Sequence, residues 1–290
     1  MGDFLEAYQA KFDLPVHSGV RVLRVSTQGS RYLVACSEGS SYLCDNVVVA
    51  TGTFGRTPNI PTFAAELDQE IRQLHSSDYK RASQLRPGPV LVVGAVHSGS
   101  DIAYEVAGNP VILSGTIRGE VPFRPEKMPA KVGFPLLYFV ATHVLTIRTP
   151  IGRRVRTEIR LHGGPLIRVK RADLARVGVE MVPARTVAAK GGAPVLAPDR
   201  SIDVTNVVWC SGFRQDFSWI DLPVTAPDGW PSERRGIVAS APGLYFVGLA
   251  FQYAFSSNLV GGAGRDAEYV VKHLDGRLTK ARRPQAPTVA

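Results

Sequence analysis

Apolar residues at Phe4, Leu5, Tyr8 and Phe12 recur at spacings of three and four, which predicts an amphipathic helix over Met1 to Phe12 that Leu14-Pro15 ends. Three alternating runs follow, Val20 to Ser26, Arg31 to Ser37 and Ser41 to Leu43. Gln28-Gly29-Ser30 and Glu38-Gly39-Ser40 separate them, so they read as a small antiparallel meander. Asn46 to Gly52 (N-V-V-V-A-T-G) is a continuous apolar run ending in small residues, as in a strand buried on both faces, and Thr57-Pro58-Asn59-Ile60-Pro61 makes the exit extended. The polar stretch Gln69 to Arg86 reads as a connection. Further on, Ala172 to Ala175 leads into a short strand at Val179 to Val182, Gly191-Gly192 marks a hairpin, and Gly243 to Gly248 is a strand. A polar, glycine-rich loop (Gln252 to Gly264) then precedes a helix expected from Arg265, with Asp266 as an ordinary first-turn acid. Ala281 to Ala290 is a basic tail of disordered composition.

The pattern switches character at Val90 to Glu105, V-L-V-V-G-A-V-H-S-G-S-D-I-A-Y-E: a strand, a glycine-bounded turn and a helix, followed by a second strand at Pro110 to Leu113. Gly94 ends the strand and Gly99 opens the helix, leaving backbone N–H groups and the helix dipole to hold a phosphate. Val96 stands where the usual Gly-x-Gly-x-x-Gly fingerprint has its middle glycine. A hydrolase elbow on Ser98 is disfavoured, since Val96 and Ser100 occupy the two positions that such an elbow gives to glycine. After the second strand comes Ser114-Gly115-Thr116-Ile117-Arg118, which has no carboxylate for a ribose hydroxyl but an arginine suited to a 2′-phosphate, so NADP is expected over NAD. Asn206 to Gly212 (N-V-V-W-C-S-G) echoes Asn46 to Gly52, with Ser211 matching Thr51, as two related nucleotide-binding units would. No glycine loop occurs between Met1 and Asn46, so the first unit reads as lacking its phosphate-binding element.

With 290 residues, 44% hydrophobic and 20% charged, the chain has room for two domains of ordinary globular composition. Its three cysteines show neither disulfide nor zinc spacing, which suits a cytoplasmic setting. The net charge of +9 comes from dispersed arginines without a nucleic-acid motif, so no nucleic-acid partner is expected. Val132 to Ile147 contains Pro135 and His143 and is too short to span a bilayer. It reads as a core or interfacial helix, and the arginines from Arg148 to Arg160 behind it suit a weak membrane-surface contact.

Four segments together carry a family resemblance: V-V-V-A-T-G at Val47 to Gly52 with P-N-I-P after it, V-V-G-A-V-H-S-G-S-D-I-A at Val92 to Ala103, V-V-W-C-S-G-F with D-F-S-W-I over 207–220, and G-L-Y-F-V-G-L-A-F at Gly243 to Phe251. In order and spacing the chain resembles the flavin-containing monooxygenase-like FAD- and NADPH-dependent oxidoreductases of the two-dinucleotide-binding-domain class. The resemblance implies an α/β fold in which a Rossmann-like NAD(P)-binding domain (87–203) is inserted in an incomplete FAD-binding domain (1–86 and 204–290) that carries the antiparallel meander. It implies NADPH binding at Gly94, Ala95, His97, Ser98 and Gly99, with Arg118 at the 2′-phosphate. Ala50, Thr51 and Gly52 would lie near both cofactors with Ser211 and Gly212, and Gly248 and Gln252 would line the flavin. The implied activity is NADPH-driven reduction of FAD and oxygenation of a small-molecule soft nucleophile or ketone. A non-catalytic NADP-binding module without its own flavin site is the alternative.

Overall fold

The computed structural model describes residues 2–53, 57–121, 124 and 130–282, and they fall into two compact units. Among the described residues the first comprises 2–49, 217–246 and 274–282. Within it β1 (Val22–Gln28), β2 (Arg31–Cys36) and β3 (Ser41–Cys44) form the expected antiparallel meander, in the order β1-β2-β3. Gln28 pairs with Arg31 across the two-residue loop Gly29-Ser30, where Gly29 takes a φ of 63° that this tight turn favours. β4 (Val47–Val49) pairs in parallel with β15 (Leu244–Phe246), whose three residues are all buried. The N-terminal helix is α1 (Gly2–Lys11), and its apolar residues stay exposed, Phe4 at 63%.

The second unit, 50–216 and 247–273, is built on a five-stranded parallel sheet. Its strands are β6 (Arg72–His75), β7 (Val90–Val93), β8 (Val111–Ser114), β9 (Glu180–Val182) and β13 (Asn206–Trp209), in the order β6-β13-β7-β8-β9. V-L-V-V and N-V-V-W are buried at every position because both faces of the sheet are covered. On one face Val90, Val92, Leu113 and Val208 pack with Ile102, Ala103 and Val106, at and just beyond α2 (His97–Glu105). On the other Leu91, Val93, Val207 and Trp209 pack with Ala64, Leu67, Leu196 and Ile202. Around the sheet lie the short pair β5 (Thr57–Pro58) and β14 (Phe213–Arg214), and the antiparallel β10 (Thr186–Lys190), β11 (Ala193–Leu196) and β12 (Arg200–Ser201). The helices are α3 (Ala130–Phe139), α4 (Pro150–His162), α5 (Arg171–Arg176) and α6 (Val260–Arg282), the last of which runs on beyond this unit.

Three sequence expectations change. Gln69 to Arg86 is more than a connection, since Arg72–His75 forms a strand that pairs with β13 at the end of the sheet order. Its R-Q-L-H sequence shows no apolar run because only one of the four residues, His75, is fully buried. The last helix begins at Val260, so Gly261 and Gly262 lie in its first turn and Asp266 is buried behind it. Gly262 permits this early start, because a Cβ there would stand 1.9 Å from the Ser256 carbonyl oxygen. The run Val132 to Ile147 is not one helix but divides into α3, where Phe134 is 67% exposed, and a π-helical turn at Val140–Val144, where Ala141 and Thr142 are buried. Of the predicted tail, 283–290 lie outside the described residues.

Candidate functional site

The turn after β7 is shaped by three close approaches. Gly94 has a φ of 110°, and a Cβ on it would stand 2.3 Å from the Cys210 carbonyl oxygen. A Cβ on Gly99 would stand 1.7 Å from the Gly94 oxygen, and one on Gly115 would stand 3.0 Å from the Ala95 nitrogen. Cross-strand bonds fix the same place: Gly94 N donates to Ser114 O at 2.8 Å and Cys210 N to Val93 O at 2.7 Å. Burial pushes the Cys210 thiol up to about 12, so it is a neutral packing group under this turn.

α2 starts here without a side-chain cap, from an extended Val96. The first intrahelical bond at this end is Ser100 N to Val96 O at 2.9 Å, which leaves the N–H groups of His97, Ser98 and Gly99 as the helix's unsatisfied donors. Ala95 is buried, whereas His97 and Ser98 are exposed, with His97 Nε2 donating to Pro165 O. Val96 is accommodated against a second bare backbone, since a Cβ on Gly163 at the end of α4 would meet Val96 Cγ1 at 3.1 Å. α4 therefore borders the turn, and its Arg160 Nε donates to Ala250 O at 3.1 Å.

Ala250 belongs to a second group of predicted residues. Its N–H donates to Thr53 Oγ1 at 2.5 Å, and Gln215 Nε2 donates to Thr53 O at 3.0 Å, so the residue after Ala50-Thr51-Gly52 bonds both the 248–252 loop and Gln215, three residues beyond Gly212. Gly52, Gly212 and Gly248 all have positive φ, of 70°, 77° and 83°. Gln252 is buried, and its side-chain oxygen accepts from Leu249 N at 3.3 Å, so it shapes the 248–252 loop.

Asn59 and His75, which sequence reasoning left out, hold the Ser211-Gly212 turn. Asn59 N donates to Gly212 O at 3.0 Å, Asn59 Nδ2 to Ser211 O at 3.2 Å, and Ser211 Oγ returns a bond to Asn59 O at 2.5 Å. His75 Nε2 donates to Gly212 O at 3.0 Å while its Nδ1 accepts from Ser77 N at 3.2 Å, which fixes the proton on Nε2. The signal for Asn59 was its place in Thr57-Pro58-Asn59-Ile60-Pro61; His75 gave none.

Arg118 stands apart from these contacts, exposed and paired at 3.4 Å with Glu158 of α4. A groove of about 560 Å³ on the outer side of α2, lined by Asp101, Tyr104, Glu105, Arg124, Arg168 and Asp173 among others, contains none of the predicted site residues. No group of three or more His, Cys, Asp or Glu among the described residues could hold a metal.

With this geometry in place, comparison with known proteins gives the family. Residues 1–121 match the family of pyridine nucleotide-disulphide oxidoreductases. A CzcO-like uncharacterized oxidoreductase of Geobacillus kaustophilus is 35% identical over 276 residues, covering 94% of this chain and 77% of that protein. The chain belongs to the CzcO-like oxidoreductases. Among solved structures, the flavin-containing monooxygenase of Stenotrophomonas maltophilia has a TM-score of 0.64 at 23% identity and covers 94% of this chain and 75% of its own. OTEMO in complex with FAD and NADP has a TM-score of 0.61 at 13% identity, over 96% and 71% of the two chains. This CzcO-like chain thus has the mixed α/β fold of the flavin monooxygenases, with parallel and antiparallel sheets.

Proposed function

We propose that this CzcO-like chain is an FAD-dependent oxidoreductase that uses NADPH as reductant and oxygenates a small molecule. The observation that carries the reading is the uncapped N-terminus of α2 behind Gly94 and Gly99, where no Cβ fits and three N–H donors face out of the helix. The residues present fit a dinucleotide diphosphate. Gly94, Ala95, His97, Ser98 and Gly99 would hold it, and Arg118 would meet the 2′-phosphate once it releases Glu158. Ala50, Thr51, Gly52, Ser211, Gly212, Gly248 and Gln252 would flank the flavin, a reading supported by the bonds of Thr53 to Ala250 and Gln215. In this reading 87–203 form the NADP-binding domain, and 1–86 with 204–290 the FAD-binding domain. The fold shared with OTEMO, solved with FAD and NADP, supports the cofactor pair.

When bound, the cofactors would supply hydride transfer and the reaction with oxygen, and the protein would supply binding, orientation and exclusion of water. The α2 amides would orient the nucleotide, and the Asn59 and His75 bonds would keep the Ser211-Gly212 turn in place. The alternative is a non-catalytic NADP-binding module, or a subunit, that lacks its own flavin site.

Absorbance of the purified protein and fluorescence titration with NADPH and NADH test both readings. Yellow protein and tighter NADPH than NADH are expected, with Arg118→Ala weakening NADPH about tenfold or more and leaving NADH unchanged. Colourless protein that still binds NADPH supports the module reading. Failure to bind NADPH rejects both.

A further inference from the structure

From Lys127 to Thr157 the sequence has six basic residues and no acid; Glu126 and Glu158 bound the stretch. Its first half is apolar, and on α3 several of the described large side chains are uncovered. Phe134, Leu136, Tyr138 and Phe139 on α3 are 67%, 58%, 38% and 54% exposed. The helix is apolar over its whole second half, F-P-L-L-Y-F, so no rotation about its axis would hide these side chains. Tyr138 donates to Gly261 O at the start of α6, where Leu259 and Val260 are exposed as well, so the apolar surface continues onto a second element. The π-helical turn anchors it from behind: Thr142 Oγ1 donates to Ser256 Oγ at 3.2 Å, and Arg265 donates to Thr142 O at 3.0 Å.

The second half supplies charge. Arg148, Arg153 and Arg154 are exposed where the chain enters α4. Arg153 and Arg154 form no ion pair among the described residues, and the one acid of α4, Glu158, is engaged with Arg118. An apolar helix backed by unneutralised arginines matches a layer with an apolar interior and an anionic surface. No helix among the described residues is long and apolar enough to cross a membrane, so the contact would be peripheral. We propose that α3, the 259–260 corner and the start of α4 form a docking surface for an anionic phospholipid bilayer.

Flotation of the full chain with phosphatidylcholine vesicles, with and without phosphatidylglycerol, tests this. Co-flotation with the anionic vesicles is expected, weakened by salt and nearly lost in the Leu136→Ser/Phe139→Ser variant. Arg153→Gln and Arg154→Gln, at exposed positions that do not threaten folding, should each weaken it about fivefold. No flotation, equal flotation with neutral vesicles, or binding unchanged in these variants overturns the proposal. So does gel filtration showing a dimer that the same serine variant dissolves, which would make a second copy the occupant.

Discussion

Ser211 and Asn59 hold each other through two reciprocal bonds, Ser211 Oγ to Asn59 O at 2.5 Å and Asn59 Nδ2 to Ser211 O at 3.2 Å. Asn59 Oδ1 also accepts from Arg214 Nε at 2.8 Å, so one side chain ties down the segment on both sides of Gly212. Asn59→Ala should cost about 1 to 3 kcal/mol in urea unfolding, more than an exposed asparagine would, because it strands a carbonyl and a guanidinium partner together.

Gly94 and Gly99 should tolerate no side chain. A Cβ at either would come within 2.3 Å and 1.7 Å of a backbone oxygen, and Gly94 is also at positive φ. Gly94→Ala and Gly99→Ala are each expected to lose about 3 kcal/mol or more by thermal or chemical denaturation. Gly108→Ala is the control: nothing lies within 4 Å of its Cβ position, and it should be neutral within about 0.5 kcal/mol.

Asp173 should govern much of the acid limb of stability. It accepts from Arg124 at 2.7 Å and 2.8 Å, from Lys170 N at 3.1 Å and from Arg176 at 3.0 Å. The Arg124 hydrogen bonds hold its carboxyl below the ordinary 3.8 against the opposing effect of burial. A depressed pKa stabilises the fold above the unfolded value and is lost as pH falls through the folded one. Stability should therefore drop below about pH 4, and Asp173→Asn should remove about 2 kcal/mol at neutral pH and flatten that drop.

Cys210 should act in the opposite direction at the alkaline end. Its thiol is raised from 9.0 to about 12 by burial, so its contribution is complete below the unfolded value and is lost as pH rises toward the folded one. Native protein at pH 8 should leave Cys210 unreacted with a maleimide in peptide mapping. The Cys210→Ala variant should lose less stability than the parent between pH 9 and about 12.

The sequence by itself determined the elements whose signal is local. V-L-V-V-G-A-V-H-S-G is strand, turn and helix because four apolar residues buried on both faces must be followed by a glycine that can take positive φ. Gln28-Gly29-Ser30 fixed the first hairpin for a similar reason, and the motif order was enough to point to the family. Only the tertiary structure decided which residues meet. R-Q-L-H at 72–75 becomes a strand because β13 supplies the hydrogen-bonding partner, which no periodicity in the segment announces. Asn59 and His75 reach the Ser211-Gly212 turn across 152 and 137 positions of sequence, and the side chain of Gln252 turned out to brace its own loop. Val96 is accommodated because Gly163, far along the chain, offers no Cβ against it. Backbone propensity and burial pattern act over a few residues and can be read along a chain, whereas a hydrogen bond or steric fit between distant segments exists only once folding has placed both.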